Sequence, residues 1–185
     1  MEIAELLKPL GPVDVSPLVD AVTSLDREDW QAQSMRQDEF EVHRKTKSIV
    51  LLFLDADAWP EVAVTREHGW GRLAGVVMPI VEKIVERHYP PGGIVLRAML
   101  AKLPPGEVIS PHVDRHESFH VAHRIHVPVT TNSRVRFYIE GRPYKFATGQ
   151  AYELNNQRLH SAMNKGCEDR ITLIFDYMPP PSKCG

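Results

Sequence analysis

Two side chains that can bind a metal ion, His112 and Asp114, stand two residues apart in the second half of the chain. In an extended segment, residues at this spacing project to the same face, so the imidazole and the carboxylate would point towards one ion. A candidate third ligand, His160, follows later in the sequence. Two histidines and one carboxylate form the facial triad of non-haem iron sites, which leaves coordination positions open. The three residues therefore predict a mononuclear metal site.

Arg170 is a further residue with a chemical implication. It opens the apolar segment 170–175 (RITLIF), where an unpaired buried charge would be costly. A guanidinium pairs bidentately with a carboxylate, and the distal carboxylate of 2-oxoglutarate is a suitable partner. A 2-oxo acid also chelates a metal through two atoms and leaves a further position for dioxygen. Arg170 and the predicted metal site together indicate oxygenase chemistry.

Several further histidines make a loose histidine-rich loop a competing interpretation of the segment that follows Asp114. They are His116, His120, His123 and His126. Residues 123–130, however, alternate in character, with Ile125, Val127 and Val129 on one face and Arg124, His126 and Pro128 on the other. This pattern fits a strand that packs its apolar face on helices and turns its polar face towards a polar interior. A half-exposed strand with a solvated arginine and histidine is the alternative.

Composition limits the kind of protein that this chain can be. The 185 residues fit one domain with a substantial core, and the formal net charge of −2 gives no positive field for nucleic acid or an anionic membrane surface. No apolar run approaches the roughly 18 residues of a membrane span, and the start of the sequence lacks the pattern of a secretory signal. With only Cys167 and Cys184, cysteine-rich zinc and iron–sulfur sites are excluded. A cytoplasmic protein without nucleic-acid or membrane partners is expected.

The segments that would position these residues fall into two halves. In the first half, helices are predicted over residues 2–8 and about 17–25, a buried strand over 49–54, and a longer amphipathic helix over 73–85. The second half shows short strands separated by turn residues, which is typical of a sandwich or barrel. These strands are predicted over 94–103, 107–112, 123–130, 134–140, 143–147, 151–154 and 170–178. The predicted fold is mainly β, a jelly-roll core on an N-terminal helical layer.

Taken together, these motifs resemble the aspartyl/asparaginyl β-hydroxylase family of Fe(II)/2-oxoglutarate-dependent oxygenases, which includes bacterial free-proline hydroxylases. The resemblance runs from about Gly93 to Met178. It is carried, in order, by LPPG at 103–106, SPHVD at 110–114, RIHVP at 124–128, GQAYELNN at 149–156, His160, Asn164 and 170–176. It implies a double-stranded β-helix of the cupin-like type. It also implies one catalytic domain over 1–185, with helical support and the first strands in 1–92 and the catalytic core in 93–178.

The resemblance implies roles for individual residues. His112 and His160 match the iron-binding histidines of the family, and Arg170 matches the arginine that binds the distal carboxylate of 2-oxoglutarate. His126 matches a histidine that lines the co-substrate site. Arg124 matches an arginine near the active-site carboxylates, and it could pair with a carboxylate of the substrate.

Two positions depart from the vertebrate peptide hydroxylases of this family. Those enzymes have glycine where Asp114 stands and use two protein ligands, whereas bacterial relatives keep the carboxylate. The present chain therefore resembles the fuller triad. The co-substrate-binding serine of the vertebrate enzymes falls on Ala101 here, so the resemblance leaves open which residues replace its hydroxyl.

Further candidates rest on their position alone. Asn156 and Asn164 could hydrogen-bond the ligating imidazoles, although each could equally be a turn or cap residue. His43, Arg44 and Trp70 could line the entrance of the site. A solvated charged patch is the alternative for His43 and Arg44.

The activity implied by the resemblance is hydroxylation of an aspartyl, asparaginyl or other amino-acid side chain, free or in a peptide. It would use Fe(II), 2-oxoglutarate and O2 and release succinate and CO2. Hydroxylation of free proline or another free amino acid is an alternative within the same class. Outside it, a non-enzymatic cupin-like binding protein and a zinc or nickel isomerase would use the same ligands. Succinate formation separates the oxygenase from both.

Overall fold

Two antiparallel β-sheets and three helices make up the computed structural model over the residues that it describes, 3–30 and 46–181. The helices are α1 (Ser16–Thr23), α2 (Trp70–His88) and α3 (Ser118–Val121). The strands are β1 (Leu7–Pro12), β2 (Lys47–Leu54), β3 (Val64–Arg66), β4 (Ile94–Leu103), β5 (Val108–His112), β6 (His123–Thr130), β7 (Val135–Ile139), β8 (Arg142–Tyr144), β9 (Gln150–Leu154), β10 (His160–Asn164) and β11 (Arg170–Met178).

The larger sheet has the strand order β1-β9-β6-β11-β4-β2-β3, and the smaller sheet has the order β5-β10-β7-β8. An apolar cluster joins the inner faces of the two sheets. It contains Leu103, Tyr152 and Leu154 from the larger sheet and Phe137, Ile139 and Ala162 from the smaller one. Two facing antiparallel sheets with this core form a double-stranded β-helix, so the predicted fold class is confirmed.

Helices α1 and α2 cover the outer face of the larger sheet. Helix α2 buries an apolar stripe made of Leu73, Val77, Ile80, Val81 and Ile84. This stripe packs with apolar residues of β6 and β11, namely Ile125, Val127, Val129, Leu173 and Phe175. Burial of each such side chain stabilises the fold by about 1.5–3 kcal/mol. Because strand residues alternate between faces, Arg124 and His126 of β6 turn to the inner face between the sheets, as the sequence pattern predicts.

Several segments differ from the sequence-based expectation, among them β3 and α3, which were not predicted. The helix predicted over 2–8 is wrong, because Leu7–Pro12 forms β1 and pairs with β9 at the edge of the larger sheet. A short helix is marginal in water, and Pro9 could not continue one. The sequence pattern also gives no signal for β10, since none of its five residues, HSAMN, is β-branched. Hydrogen-bonded pairing with β5 on one side and β7 on the other imposes the extended conformation there.

The residues proposed for an entrance lie elsewhere or cannot be placed. His43 and Arg44 fall outside the described residues. For Trp70 the expectation is wrong, because this residue begins α2 and packs against the core on the helical side of the larger sheet, with the guanidinium of Arg66 4.4 Å from its ring centroid.

Of the helices within residues 3–30 and 46–181, none has both the length and the apolar character that a bilayer crossing requires.

A buried carboxylate, Glu153 of β9, joins strands and helix on the outer face. It is 1% exposed and accepts hydrogen bonds from Tyr89 Oη at 3.1 Å and from His123 Nδ1 at 2.5 Å. Burial alone would raise the pKa of the Glu153 carboxyl, but the bonds from His123 and Tyr89 outweigh it and hold the pKa below its ordinary value. The carboxylate therefore fastens the end of α2 to β6 and β9.

Glu153 makes the stability of the protein depend on pH in acid. A group whose pKa is lowered by folding contributes stability that is present above its unfolded pKa, about 4.5 for glutamate, and is lost as the pH falls through the folded value. We therefore expect the free energy of unfolding to fall below about pH 4.5 and Glu153→Gln to flatten this dependence, as measured by urea unfolding at a series of pH values. Glu86→Gln, on the exposed face of α2, serves as the control. A Glu153→Gln profile as steep as that of the wild type would contradict the assignment.

Candidate active site

The three predicted metal ligands meet between the two sheets. Strand β5 ends at His112 and β10 begins at His160, and the two residues face each other across these antiparallel strands with ring centroids 4.3 Å apart. Asp114 follows β5 by two residues, and one ligand atom from each of the three side chains lies within 4.8 Å of the others. Strand pairing thus unites ligands that are distant in the sequence. Their types and separations fit a single divalent ion.

Hydrogen bonds define which imidazole nitrogen faces the ion. Nδ1 of His112 lies 2.8 Å from the carbonyl oxygen of Ser110, and Nδ1 of His160 lies 2.9 Å from that of Arg158. A carbonyl only accepts, so Nδ1 carries the proton in both rings and Nε2 carries the lone pair. Burial lowers the pKa of His160, which favours the neutral ring that a metal requires. The two histidines therefore share one arrangement, typical of metal-binding imidazoles.

Asp114 is held by its backbone and by its side chain. Its N–H donates to the carbonyl oxygen of Asn156 at 3.2 Å, which ties the segment after β5 to the turn before β10. Its side chain is buried, and Oδ2 accepts a hydrogen bond from Arg124 Nη1 at 2.7 Å. One carboxylate oxygen is thus engaged by the guanidinium, and the other oxygen can face an ion.

A second buried carboxylate, Asp176, lies behind Arg124. Nε and Nη2 of Arg124 donate to the two oxygens of Asp176 at 2.7 and 2.9 Å, and Arg97 Nη1 lies 3.4 Å from the same carboxylate. The ring of Phe119 packs against both guanidinium groups. Burial acts to raise the pKa of the Asp176 carboxyl, but Arg124 and Arg97 outweigh it and lower this pKa. Arg124 therefore lies beside two carboxylates, Asp114 among them, and the structure gives no support to its pairing with a substrate carboxylate.

The contacts of Asp176 give it a role in positioning the metal ligand. Asp176→Asn keeps the shape of the side chain but removes the charge that fixes Arg124, so the Asp114 carboxylate should be less well oriented. We expect the affinity for Mn(II) to fall by about 10–100-fold, the range found for residues that orient metal ligands, in competition with a chromophoric chelator. Asp20→Asn, on the exposed side of α1, is the matched control. Unchanged affinity in Asp176→Asn would show that Arg124 orients Asp114 without help.

A cavity adjoins the metal ligands and reaches between the two sheets. It is lined by Thr46, Ser48, Ala101, Ile109, His112, Arg124, His126, Phe137, His160, Ser161, Ala162, Arg170 and Ile174. Among the described residues of this lining there is no acidic one, whereas hydroxyl, imidazole and guanidinium groups are present. The guanidinium groups are pure hydrogen-bond donors, so the cavity suits a ligand rich in acceptors.

Arg170 contributes a positive charge to the cavity, and no carboxylate in the described part of the chain pairs with it. Its side chain is 4% exposed, and it takes part in none of the ion pairs formed by the described residues. Burial lowers the pKa of Arg170 to about 10, so the group remains charged at neutral pH. A buried cation in this state needs an anion, and the cavity is where such an anion would bind.

His126 lies on the same inner face of the larger sheet. Within the described part of the chain, neither of its ring nitrogens has a hydrogen-bond partner, and both are buried. Burial first, and then the charge of Arg170, hold the pKa of His126 well below its ordinary value, so the ring is neutral and offers one N–H donor. The rings of Phe137 and Phe146 pack edge-on against it, at centroid distances of 5.7 and 6.3 Å. An anion bound to Arg170 could accept the hydrogen bond for which the His126 ring has no acceptor among the described residues.

The sequence-based candidates for partners of the ligating imidazoles are wrong. Nδ2 of Asn164 donates to the carbonyl oxygens of Leu103 and Glu168, and Oδ1 of Asn156 accepts from Gln157. The imidazoles instead donate to backbone carbonyls two residues upstream, which no side-chain pattern reveals. Sequence reasoning also missed Asp176. Its signal was available, because Asp176 stands on the same face of the strand 170–178 as Arg170 and is the acidic residue on that face.

Several solved structures share this fold. The non-haem monooxygenase ThoJ, solved as its nickel complex, aligns over 96% of this chain and 75% of its own, with a TM-score of 0.59 and 14% identity. The viral collagen prolyl hydroxylase of Paramecium bursaria Chlorella virus-1, solved with 2-oxoglutarate, aligns over 96% and 97%, with a TM-score of 0.56 and 8% identity. A 2OG-Fe(II) oxygenase family oxidoreductase from Burkholderia pseudomallei aligns over 72% and 67%, with a TM-score of 0.55 and 11% identity. Likeness at these identities establishes the fold.

The family is established by the sequence. Among curated proteins, none gives a significant match to this chain. The family model described as Aspartyl/Asparaginyl beta-hydroxylase matches residues 19–180, a span that includes all three candidate ligands, Arg170 and both sheets' central strands. The resemblance carried by the sequence motifs is thereby confirmed, and the chain belongs to the aspartyl/asparaginyl β-hydroxylase family of hydroxylases.

Proposed function

We propose that this chain is an Fe(II)- and 2-oxoglutarate-dependent dioxygenase that hydroxylates an amino-acid side chain, free or in a peptide, and releases succinate and CO2. The observation that supports it is a site with two different ends. Two imidazoles and a carboxylate converge at one end, and at the other end Arg170 lies buried and pairs with no carboxylate of residues 3–30 and 46–181. A 2-oxo acid that carries a second carboxylate matches both ends, through metal chelation and through a guanidinium pair.

At the metal end, His112, Asp114 and His160 would hold the iron. When bound there, iron would supply the activation of O2 at coordination positions that the protein leaves open. The chain fixes these ligands before any ion arrives. The carbonyl groups of Ser110 and Arg158 hold the two imidazoles in the Nε2 lone-pair tautomer, and Arg124 orients the Asp114 carboxylate by a hydrogen bond to one of its oxygens.

At the other end, Arg170 would bind the distal carboxylate of 2-oxoglutarate and so fix the direction of the molecule. The neutral ring of His126 would donate one N–H to the same ligand. Aromatic side chains of the inter-sheet core form the adjoining wall: the rings of Phe137 and Phe146 stack at 4.8 Å, and those of Phe146 and Tyr152 at 4.5 Å. This wall excludes water, which strengthens the ion pair of Arg170 with its ligand.

The substrate class rests on membership of the family. An aspartyl, asparaginyl or other amino-acid side chain is the proposed target, and free proline or another free amino acid is the alternative. A panel of free amino acids and short peptides that contain aspartate, asparagine or proline, assayed for hydroxylated product by mass spectrometry, separates the two. Hydroxylation of free proline alone would favour the alternative.

The test of the proposed reaction is an anaerobic titration of the Fe(II) protein with 2-oxoglutarate. A visible charge-transfer band near ~500 nm is expected when a 2-oxo acid chelates iron through open positions. The band should form with the wild type and fail with His160→Ala. If iron binds but no band forms and no succinate is released in air, the reading as an oxygenase is wrong. A metal-dependent isomerase or a binding protein of the cupin type would then be the better interpretation.

A further inference from the structure

Exposed apolar side chains gather at one end of the larger sheet. Among the described residues, five large apolar side chains are exposed, and three of them lie at this end, namely Val62, Ile94 and Val121, which are 37–44% exposed. Three further apolar side chains at this end are partly exposed and pack on the small buried cluster beneath them: Trp59, Val64 and Met178. We call these six residues the sheet-end patch.

The strand order makes the sheet-end patch one continuous surface. The strands that begin or end here, β6, β11, β4, β2 and β3, are consecutive neighbours in the larger sheet. Ile94 at the start of β4 lies opposite Met178 at the end of β11, and Val121 immediately precedes Ala122 of the buried cluster. Val62 lies two residues before β3. A single exposed apolar side chain is ordinary on a protein surface, whereas a continuous patch is typical of a binding surface.

The sheet-end patch adjoins the candidate metal site. Met178 stands two residues beyond Asp176, whose carboxylate is linked through one guanidinium to the ligand Asp114. Two residues of a strand span about 7 Å. Trp59 also contacts the segment that follows Asp114, because its ring packs edge-on against that of His116 at a centroid distance of 5.8 Å. A polypeptide that binds across the patch could therefore reach the metal with a nearby residue.

Carboxylates surround the sheet-end patch. They belong to Asp55, Asp57, Glu61 and Glu117, all of which are exposed. The first three lie in the segment 55–62, which contains no basic residue, and Oε2 of Glu117 accepts a hydrogen bond from the indole N–H of Trp59 at 2.9 Å. None of the four forms an ion pair with another described residue. An apolar surface with an acidic border is complementary to a partner that carries apolar and basic side chains.

We propose that the sheet-end patch docks a polypeptide substrate through apolar and basic side chains close to the residue that is hydroxylated. Five neighbouring strands span about 19 Å, so the far side of the patch lies about 26 Å, or about eight residues of extended chain, from the Asp176 position. This inference rests on the proposed function and favours a peptide among its substrates. A free amino acid would occupy the cavity beside the metal and would make no use of this surface.

The first experiment identifies the flanking residues that the protein selects. The probe is a library of peptides with a fixed central aspartate, asparagine or proline and mixed residues over about eight positions on either side. The Fe(II) protein is incubated with the library, 2-oxoglutarate and air, and the hydroxylated members are sequenced by tandem mass spectrometry. We expect enrichment of lysine, arginine and large apolar residues on one side of the centre, and depletion of aspartate and glutamate there.

The second experiment assigns this selection to the sheet-end patch. The dissociation constant of a selected peptide is measured by fluorescence anisotropy with the Mn(II) protein and 2-oxoglutarate, so that binding is observed without turnover. Ile94→Ser and Val121→Ser should each raise this constant about fivefold, since they remove apolar contact area at an interface. Glu61→Lys should raise it about tenfold at low ionic strength and less at high ionic strength.

Two matched controls lie away from the patch. Val108→Ser replaces a similarly exposed apolar residue on β5 of the smaller sheet, and Glu82→Lys reverses an exposed charge on α2. Both should leave the dissociation constant of the peptide unchanged. All five substitutions are at exposed positions, so thermal unfolding of each variant should remain close to that of the wild type.

The outcomes distinguish this inference from the proposed function. If the wild type hydroxylates a free amino acid and no library peptide, or if Ile94→Ser, Val121→Ser and Glu61→Lys all bind the selected peptide as the wild type does, the inference is overturned while the proposed function stands. Selected peptides without basic and apolar residues would also overturn it. So would a dimer in sedimentation that Ile94→Ser dissociates, because a second copy of the chain would then occupy the patch. If the wild type releases no succinate and shows no charge-transfer band, the proposed function is wrong and this inference falls with it.

Discussion

Asp114→Ala is expected to lower both the affinity for Fe(II) and the iron-dependent turnover by at least about 100-fold. Residues that only orient a metal ligand contribute about 10–100-fold to affinity, so the loss of a ligand itself should be larger. The carboxylate is buried and already oriented by Arg124, which indicates a ligand fixed in place. Metal affinity is measured by competition with a chelator under anaerobic conditions, and turnover by succinate release.

Asp114→Ala also disturbs a buried ion pair, so its effect on folding must be measured separately. Removal of one partner from such a pair destabilises proteins by about 3–5 kcal/mol, and here Asp176 stays in contact with Arg124, so we expect a loss of about 3 kcal/mol or less in urea unfolding. Asp114→Asn is the matched variant, because an amide oxygen can still accept from Arg124 while the ligand charge is gone. Near-normal metal affinity and turnover in Asp114→Ala would show that water replaces the carboxylate, as in the relatives with glycine at this position.

Arg170→Ala is expected to raise the dissociation constant for 2-oxoglutarate by about 100-fold and to leave metal affinity within a few-fold of the wild type. Truncation of one partner in a buried, hydrogen-bonded charge pair costs about 2–5 kcal/mol of binding energy, which brackets this value. The guanidinium is buried and contributes no ion pair to the described protein, so its charge is kept for a ligand. Both constants come from the anaerobic titration, followed at the charge-transfer band.

Two variants at position 170 separate binding from folding. Arg170→Lys keeps the charge but loses the planar fork, so its affinity for 2-oxoglutarate should lie between those of Arg170→Ala and the wild type. Arg170→Met removes a buried charge that forms no ion pair with the residues that the structure describes, so the free protein should be no less stable than the wild type. An equal loss of metal and 2-oxoglutarate binding in Arg170→Ala would mean that the residue supports the fold instead of the ligand.

The site was predictable where local spacing decides the geometry. The spacing of His112 and Asp114 predicted that both side chains face one ion, and they do, although β5 ends at His112 and Asp114 lies beyond the strand. The inward face of β6 follows from the alternation of its residues. His160 could be proposed as a ligand, but the element that carries it could not. The polar and small residues of β10 have no strand preference of their own, and only pairing with β5 and β7 places the ring of His160 beside that of His112.

Long-range contacts account for most of what sequence reasoning missed. Residues 7–12 form β1 because they pair with the edge of β9, and the sequence of residues 7–12 does not show that this edge is available. The link from Asp176 through Arg124 to Asp114 joins β11, β6 and the segment after β5, and the pairing of β11 with β6 sets the position of the first two residues. A single sequence contains the residues of such networks, but it does not reveal which strands pair or in which register.

The hydrogen bond between the Asp114 N–H and the Asn156 carbonyl, together with the pairing of His112 and His160, has a consequence for metal exchange. Backbone hydrogen bonds hold together the segments that bear the ligands. The conformational entropy of these segments is therefore lost when the chain folds, and not when the ion binds. A zinc finger unfolds when a chelator removes its metal, whereas this protein should stay folded after its metal has been removed. It should therefore accept a replacement ion reversibly, and the ion found in it should reflect the metals available in its surroundings rather than the one that was present when it folded.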